Sequence, residues 1–244
     1  MNIDTANPYA IQMGFRLSQR DVPDALLPTD NDLGIPLLDS RFQAGFLYLP
    51  FTRWGEIARS RMMPGTYHFY TDDYKYEALW KDPSNVINSR CRAIVEPNFS
   101  INDQMPVAVA LWQIYRKRWL ARYWQSYGVE IFVDLNVPPT YAELNLYGVP
   151  RGWRAYCTRG LNMDEDIVVR DYEIALSHTG GKPLFVVYGG GKPIYSLCKN
   201  NGWLWLPENI QVKGGRRWVL EAVEEVEVLL RQEEQSAALE ARSK

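Results

Sequence analysis

Acidic and amide side chains follow three predicted strands, at the points where those strands end. The segments TYHFYT, CRAIV and EIFV read as strands because each is a short run rich in apolar, aromatic or β-branched residues. The residues that follow them, which we predict to be catalytic, are Asp72, Asp73, Glu96, Asn98 and Asp134. Close carboxylates either bind a hard cation or separate one another's pKa values for acid/base chemistry. Mg²⁺ is a candidate cofactor that the sequence alone does not establish. The alternative is that these residues cap the following helices.

A glycine-rich loop, YGGGKP, follows the predicted strand PLFVV. Backbone N–H groups of such a loop can approach a phosphate, and the following lysine supplies a counter-charge. The ligand-binding residues predicted here are Tyr188, Gly189, Gly190 and Lys192. The spacing matches neither the P-loop nor the dinucleotide fingerprint, so a simple turn is the alternative.

Between Pro106 and Gly128 lies a helical segment rich in aromatic and basic residues and without an acidic one. Proline suits a first helical turn and glycine the left-handed position after a helix end. Steps of four, three and four place Trp112, Arg116, Trp119 and Tyr123 on one face. Guanidinium groups bind phosphate and aromatic rings stack on bases. We predict ligand binding by Arg116, Arg118, Trp119 and Arg122. The alternative is that the rings form core and the arginine stems cover apolar surface.

Composition excludes several classes of protein. The chain has 244 residues, with 27 basic and 29 acidic side chains, so its balance is not that of a nucleic-acid coat or a membrane-surface protein. No window is apolar enough to span a bilayer, and the first residues lack a leader pattern. Three separated cysteines fit reduced thiols. We therefore predict a cytoplasmic protein with no membrane partner. Neither histidine belongs to a zinc or triad pattern, and both are interpreted as structural.

Short apolar runs alternate with segments of helical period along residues 43–215. This order predicts an α/β fold with a parallel sheet, either a (β/α) barrel or an open doubly wound sheet. The short, even units favour a barrel-like or incomplete barrel. The predicted strand runs are AGFLYLPF, GTYHFYTDD, CRAIVEPNFS, EIFVDLNV, WRAYCTRG, KPLFVVYGGG and GWLWLP. The predicted helical segments between them include WGEIARSRM and TYAELNLYG.

The two ends of the chain differ from this core. Residues 1–42 are rich in Asp, Pro and Asn, which predicts an irregular wrap. Residues 216–244 carry apolar residues at helical spacing with glutamates between them, which predicts an amphipathic helix and a polar tail. That helix either closes the bottom of the body or pairs with a second copy as a homodimer.

Several rare residues occur in an order that resembles a known family. The segments are TDDYKYEALWKDP, EPNFSINDQMP, WQIYRKRWLARYWQSYGVEIF and GVPRG. Their order is similar to that of the phage and mobile-element family DUF4417, a domain of unknown function, over roughly residues 65–160. The residues that match its pattern are Asp72, Asp73, Glu77, Trp80, Pro97, Phe99, Ser100, Pro106, Arg116, Arg118, Trp119, Tyr123 and Trp124. The wrap and the C-terminal helix lie outside this likeness.

The resemblance implies a genomic setting rather than a reaction. Its P-D-F-S segment has Asn98 in place of the aspartate. If a carboxylate at that place serves catalysis in the family, Asn98 does not supply it. We expect an enzyme acting on a nucleotide or nucleic acid. The alternative is a non-catalytic module that binds nucleic acid or a host protein in replication or counter-defence. A third hypothesis needs no ligand: the aromatic helix is core and the C-terminal helix forms a dimer.

Overall fold

Seven parallel strands form one sheet in the computed structural model, which describes residues 27–57 and 62–242. They lie in sequence order from one edge to the other, and the sheet curls into a nearly closed barrel. The strands are β1 (Phe51–Arg53), β2 (Thr66–His68), β3 (Ala93–Val95), β4 (Glu130–Asp134), β5 (Ala155–Arg159), β6 (Leu184–Tyr188) and β7 (Leu204–Leu206). The predicted α/β barrel-like fold is confirmed, and seven strands in sequence order are incompatible with a doubly wound order.

Helices connect most of the strands. They are α1 (Ala78–Lys81), α2 (Ser84–Asn88), α3 (Val107–Gln125), α4 (Glu165–Thr179), α5 (Gly191–Asn201), α6 (Asn209–Lys213) and α7 (Arg217–Arg242). The crossover from β4 to β5 differs from the prediction, because TYAELNLYG forms two 3₁₀ turns, Pro139–Tyr141 and Leu144–Leu146. The segment predicted as a helix after β1 shows no helix where it is described, and residues 58–61 lie outside the described residues.

The first strand is shorter than its apolar run. Of AGFLYLPF only Phe51 belongs to β1, and the ladder begins immediately after Pro50. Proline lacks the N–H that a ladder position needs. Before it, the backbone N–H of Ala44 donates to the carbonyl of Ile131 at 3.0 Å, so this segment touches the sheet without forming a strand.

Side chains on each strand alternate between the barrel interior and a layer covered by helices. Phe132 and Val186 belong to the interior cluster, whereas Ile131, Val133 and Val187 belong to the outer one. Both layers are apolar, as expected for a parallel sheet covered on both faces. The direction in which a strand-end side chain points therefore depends on its position in this alternation.

Helix α3 has the ends that the sequence predicts. It begins after Pro106, and Gly128 has φ of 84° just beyond its last turn. Its second half is buried on all sides, because it packs between the sheet, the α1–α2 region and the segment before β1. Trp119 and Trp124 are fully buried. The aromatic rings of this half are therefore core, which was the alternative interpretation.

Helix α7 packs on the barrel of its own chain. Val219, Ala222, Val226 and Leu230 are buried, the last two in the interior cluster beside the amino ends of β6 and β7. This is the predicted closing role. Dimerisation through the same helix stays a prediction, since its outer face carries exposed apolar residues such as Leu229. No helix among the described residues has the length and apolar character that crossing a bilayer requires.

The predicted irregular wrap lies partly outside the described residues, which begin at residue 27. From there to residue 42 the chain forms an isolated bridge between Thr29 and Pro36 and a 3₁₀ turn at Ser40–Phe42. The domain division at residues 42 and 215 stays a prediction.

A buried carboxylate on α4 predicts a pH-dependent stability. Thr158 Oγ1 donates to Asp171 Oδ2 at 2.5 Å, and Arg170 pairs with Oδ1. Burial raises the pKa of Asp171 to about 6 from its usual 3.8, although Thr158 and Arg170 oppose the shift. Between those two pH values the folded state binds more protons than the unfolded state, so stability falls as pH rises.

We expect the substitution Asp171→Asn to remove this fall in stability with rising pH. From about pH 4 to pH 7 its free energy of unfolding should rise relative to the parent by about 3 kcal/mol, the equivalent of a two-unit shift. Urea unfolding at both pH values measures it. Asp166→Asn, at an exposed position of the same helix, is the control. Parallel pH profiles for Asp171→Asn and the parent would show that Asp171 has an ordinary pKa.

Candidate functional site

The carboxyl ends of the strands form a polar mouth, and Asp134 at the end of β4 lies at its base. Asp134 faces the interior and is fully buried. Tyr70 Oη donates to its Oδ1 at 3.0 Å, and Asn98 Nδ2 donates to its Oδ2 at 2.8 Å. Lys117 Nζ, from α3, lies 3.4 Å from the same Oδ2. A buried carboxylate is thus held by groups from three elements, which offsets the cost of its burial.

Two asparagines cover Asp134 on its solvent side. Asn98 and Asn136 are half-buried, and Asn136 Nδ2 donates to Asn98 Oδ1 at 3.2 Å. Asn98 Nδ2 also donates to the carbonyl of Asn136 at 3.1 Å. A ligand in the mouth would meet these amides before it met the carboxylate.

Glu96 lies behind the sheet rather than in the mouth. Its side chain is fully buried, and Arg118 Nη1 lies 2.5 Å from Glu96 Oε1. The backbone N–H of Asp134 donates to Glu96 Oε2 at 3.3 Å, so the two predicted carboxylates are neighbours. Burial raises the pKa of Glu96, and Arg118 opposes the shift. Arg118 also donates to the carbonyls of Asn145 and Tyr147. Glu96 therefore serves to anchor α3.

Aromatic rings fill the interior just below the mouth. The centroid of the His68 ring lies 4.6 Å from that of Phe51 and 4.3 Å from that of Tyr188. Tyr70 stacks on Tyr188 at 5.6 Å, which connects this cluster to Asp134. Burial and the nearby Glu208 raise the pKa of Tyr188 to about 12. Tyr188 is therefore a neutral hydroxyl inside the mouth.

The glycines after β6 have a packing explanation. Gly189 and Gly190 have φ of 78° and 82°, the left-handed region that favours glycine. A Cβ at Gly189 would lie 2.8 Å from Glu208 Cγ, and one at Gly190 would lie 2.4 Å from Ile194 Cγ1. Lys192 is exposed in the first turn of α5. A phosphate at this loop stays a prediction, because close packing alone accounts for the glycines.

The other predicted residues are dispersed. Asp72 is an exposed partner of Lys75, at 2.8 Å, and Lys75 lowers its pKa. Asp73 accepts hydrogen bonds from Ser100 N and Oγ, both at 3.0 Å, and so joins the loops after β2 and β3. Among the described residues, neither Asp72 nor Asp73 makes a hydrogen bond or an ion pair with the groups that hold Asp134. The predicted convergence of Asp72 with Glu96 and Asp134 is not observed, because Asp72 follows β2 in an outward surface turn.

The aromatic and basic residues of α3 bind neighbouring groups of the protein. Arg116 Nη1 lies 2.5 Å from Glu77 Oε1, and its guanidinium lies 3.9 Å from the Phe99 ring centroid. Trp119 is buried against Tyr123, and Arg122 is nearly buried, with a hydrogen bond to a serine hydroxyl. The ligand-binding role of Arg116, Arg118, Trp119 and Arg122 stays a prediction.

The groups around Asp134 do not fit a divalent cation. Its two oxygens already accept from a tyrosine hydroxyl, an asparagine amide and an ammonium group, where Mg²⁺ would need oxygen ligands. Within the described residues, no group of three or more His, Cys, Asp or Glu side chains has an arrangement suited to a metal.

A cavity of about 1360 Å³ lies at the opposite end of the barrel, against α7. Its walls include Arg154, Lys182, Leu204 and Leu229, beside the amino ends of β5 to β7. A charged pair at this cavity, Lys199 with Glu225, is an exposed ion pair on the rim. The mouth is the better candidate site, because side chains at and just after the ends of several strands meet there and several of them are buried polar groups.

Sequence reasoning missed Lys117, Tyr70 and Arg53 as members of the mouth and its support. Lys117 reaches Asp134 from a position of α3 outside the predicted face of Trp112, Arg116, Trp119 and Tyr123. His68 and Tyr70 are two positions apart in TYHFY. In a strand this spacing places both side chains on the same face, here the interior, and the sequence contained that signal. Arg53 ends β1, two residues beyond the end of the predicted run AGFLYLPF.

The topology and the polar groups at the carboxyl ends of the strands define this chain as an α/β barrel-like protein. The chain belongs to the family described as Domain of unknown function (DUF4417), whose pattern matches residues 27–193. This region is wider than the predicted likeness and includes residues 27–42 of the wrap, which were wrongly placed outside it.

Two curated phage proteins are similar to part of the chain. The Gene 1 protein of Mycobacterium phage L5 is 41% identical over 92 residues, which are 36% of this chain and 40% of that protein. The Gene 1 protein of Mycobacterium phage D29 is 37% identical over 93 residues, 36% of this chain and 34% of that protein. The matches thus cover well under half of each relative. They support a phage origin. No solved structure matches the chain.

Proposed function

We propose that this phage protein is a barrel-like enzyme that acts on a nucleotide or a nucleic-acid strand, with its active site in the carboxyl-end mouth. The observation that carries the proposal is Asp134, a fully buried carboxylate placed under the mouth by Tyr70, Asn98 and Lys117. Buried charge at a strand end is costly for stability and is characteristic of functional sites in parallel α/β proteins.

Two roles follow from this geometry. The amides of Asn98 and Asn136 lie where they can orient a polar ligand above Asp134. Asp134 and Lys117, whose oxygen and nitrogen are 3.4 Å apart, place a carboxylate and an ammonium group together beneath that ligand.

The test is a melting screen with mononucleotides and short single strands, followed by assays of phosphate release and strand cleavage. We expect a ligand to raise the melting temperature of the parent protein. Asp134→Asn combined with Lys117→Met removes both charges together, so that neither is left buried alone, and should abolish turnover while circular dichroism shows a folded protein. No stabilisation by any of these ligands would refute the proposal.

One observation favours a second candidate, a non-catalytic module that binds nucleic acid. Both oxygens of Asp134 are occupied, and Asn98 is a neutral amide in the position beside them. A module of this kind would bind labelled oligonucleotides with an affinity that falls as salt rises, and would show no turnover. Turnover that depends on Asp134 decides for the enzyme.

A further inference from the structure

A second polar group in the mouth, on the side of β1 and β7, has hydrogen-bond donors that nothing in the described structure accepts. Arg53 and His68 are register partners on β1 and β2, and Arg159 and Tyr188 are register partners on β5 and β6. Register partners on parallel strands point to the same face. Since the His68 and Tyr188 rings are 4.3 Å apart, the two pairs meet inside the mouth.

The hydrogen bonding of His68 defines its tautomer. His68 is 1% exposed, and the backbone N–H of Tyr70 donates to its Nδ1 at 3.3 Å. Burial, with Arg53 and Arg159 nearby, lowers the pKa of His68 to about 3, so the ring is neutral at pH 7. Since Nδ1 accepts, the proton lies on Nε2. Nε2 makes no hydrogen bond to the described residues, so its N–H is available to a ligand in the mouth.

The two arginines also have unused donors. Arg159 Nε is buried and has no hydrogen-bond partner among the described residues, while its Nη2 lies 3.1 Å from Glu208 Oε1. Arg53 Nη2 donates to Glu56 Oε1 at 3.0 Å. A guanidinium group has five N–H donors. Each glutamate therefore holds its arginine in place and leaves most of the donors free.

We propose that Arg53, His68 and Arg159 form a binding site for a phosphoryl group. Two guanidinium groups supply charge and paired donors, and the neutral imidazole adds an N–H from below. A tetrahedral oxyanion has enough acceptor oxygens to satisfy all three. This inference rests on the proposed function, because it names the part of the nucleotide or strand that this side of the mouth holds, beside Asp134.

Nitrogen-15 NMR of the imidazole groups tests the site directly, because the chain has two histidines. Inorganic phosphate and pyrophosphate are the probes. We expect a saturable shift of the His68 Nε2–H signal. His178 is the internal reference, since it lies on α4, outside the barrel, with Nδ1 2.8 Å from Tyr156 Oη, and its signals should not move.

Variants assign the shift to the arginines. Arg159→Gln and Arg53→Gln should each weaken phosphate binding by about tenfold or more, as loss of charge-assisted hydrogen bonds does. Arg159→Lys keeps the charge but loses Nε, and should also bind less tightly. The matched control is Arg217→Gln, whose side chain in the parent is 93% exposed on α7. Unchanged His178 signals and circular dichroism confirm that each variant is folded.

The result that would overturn the inference is the absence of a saturable His68 shift, equal shifts of both histidines, or full phosphate affinity in Arg159→Gln. These failures are separable from failure of the proposed function. If a nucleotide stabilises the protein but phosphate does not shift the His68 signal, the proposed enzyme stands and the phosphoryl site is rejected. If phosphate shifts the His68 signal but no nucleotide or strand has an effect, the phosphoryl site stands and the proposed enzyme is rejected.

Discussion

Replacing Arg118 with methionine should lower the free energy of unfolding by about 3–5 kcal/mol, the cost of leaving one member of a buried ion pair alone. Arg118 and Glu96 both have fully buried side chains, and Nη1 lies 2.5 Å from Oε1. Methionine fills a similar length but leaves Glu96 Oε1 and two backbone carbonyls without a donor. Urea unfolding followed by tryptophan fluorescence measures the loss.

Two comparisons make this prediction specific. Arg41→Met removes an exposed pair, since the Arg41 side chain is 81% exposed, and should leave the free energy of unfolding nearly unchanged. Adding Glu96→Gln to Arg118→Met should recover part of the loss, because Glu96 is then no longer a buried charge without its partner. If the double variant loses the sum of both single effects, the two side chains do not act as a pair.

The Arg118→Met variant should also depend on pH. Burial already raises the pKa of Glu96 with Arg118 present, and removal of the guanidinium should raise it further. The folded pKa then exceeds the unfolded one, so the variant should lose stability as pH rises through that window. The deficit relative to the parent should be smaller at pH 5 than at pH 8.

Asn98→Asp should convert the asparagine cover of the mouth into a carboxylate pair. Asn98 Nδ2 lies 2.8 Å from Asp134 Oδ2, so an aspartate loses this hydrogen bond and places like charges together. We expect the free energy of unfolding to fall by about 2–3 kcal/mol at pH 7, with Lys117 reducing the repulsion. Unfolding at pH 5 and pH 8, with and without Mg²⁺, is the measurement.

The aspartate variant should recover stability in two conditions. Protonation of the pair favours low pH, because one of two close carboxylates has a raised pKa. Mg²⁺ supplies the positive charge that the pair lacks. Asn98→Ala is the control, because it loses the same hydrogen bond without adding charge, and Mg²⁺ should not affect it. A parent-like response of Asn98→Asp to Mg²⁺ would mean that position 98 cannot form a cation site.

The resemblance places an aspartate in the family where this chain has Asn98. The structure gives that departure a physical meaning, since the neutral amide is a donor to Asp134 and Asp134 needs donors. The sequence allowed the prediction that loss of a carboxylate mattered here. It could not show that Asp134, 36 residues later, was the partner.

Much of the fold was predictable. Apolar runs separated by helical segments predicted the parallel sheet, and a proline and a glycine predicted the ends of α3. These signals are local, because capping and strand propensity depend on a few neighbouring residues. Pro50 was also a local signal, and its missing N–H explains why β1 begins later than the apolar run.

The sequence by itself determined the class of fold, the family and the set of polar residues at the strand ends. Only the tertiary structure decided which of them share a site. Glu96 and Asp134 both follow buried strands, yet one points to α3 and the other into the mouth. Because both faces of these strands are apolar, the sequence has no alternation from which to read that direction. The partners Lys117 and Arg118 lie on α3, 17 and 22 residues away along the chain, and only the packing of that helix on the sheet brings them to the two carboxylates.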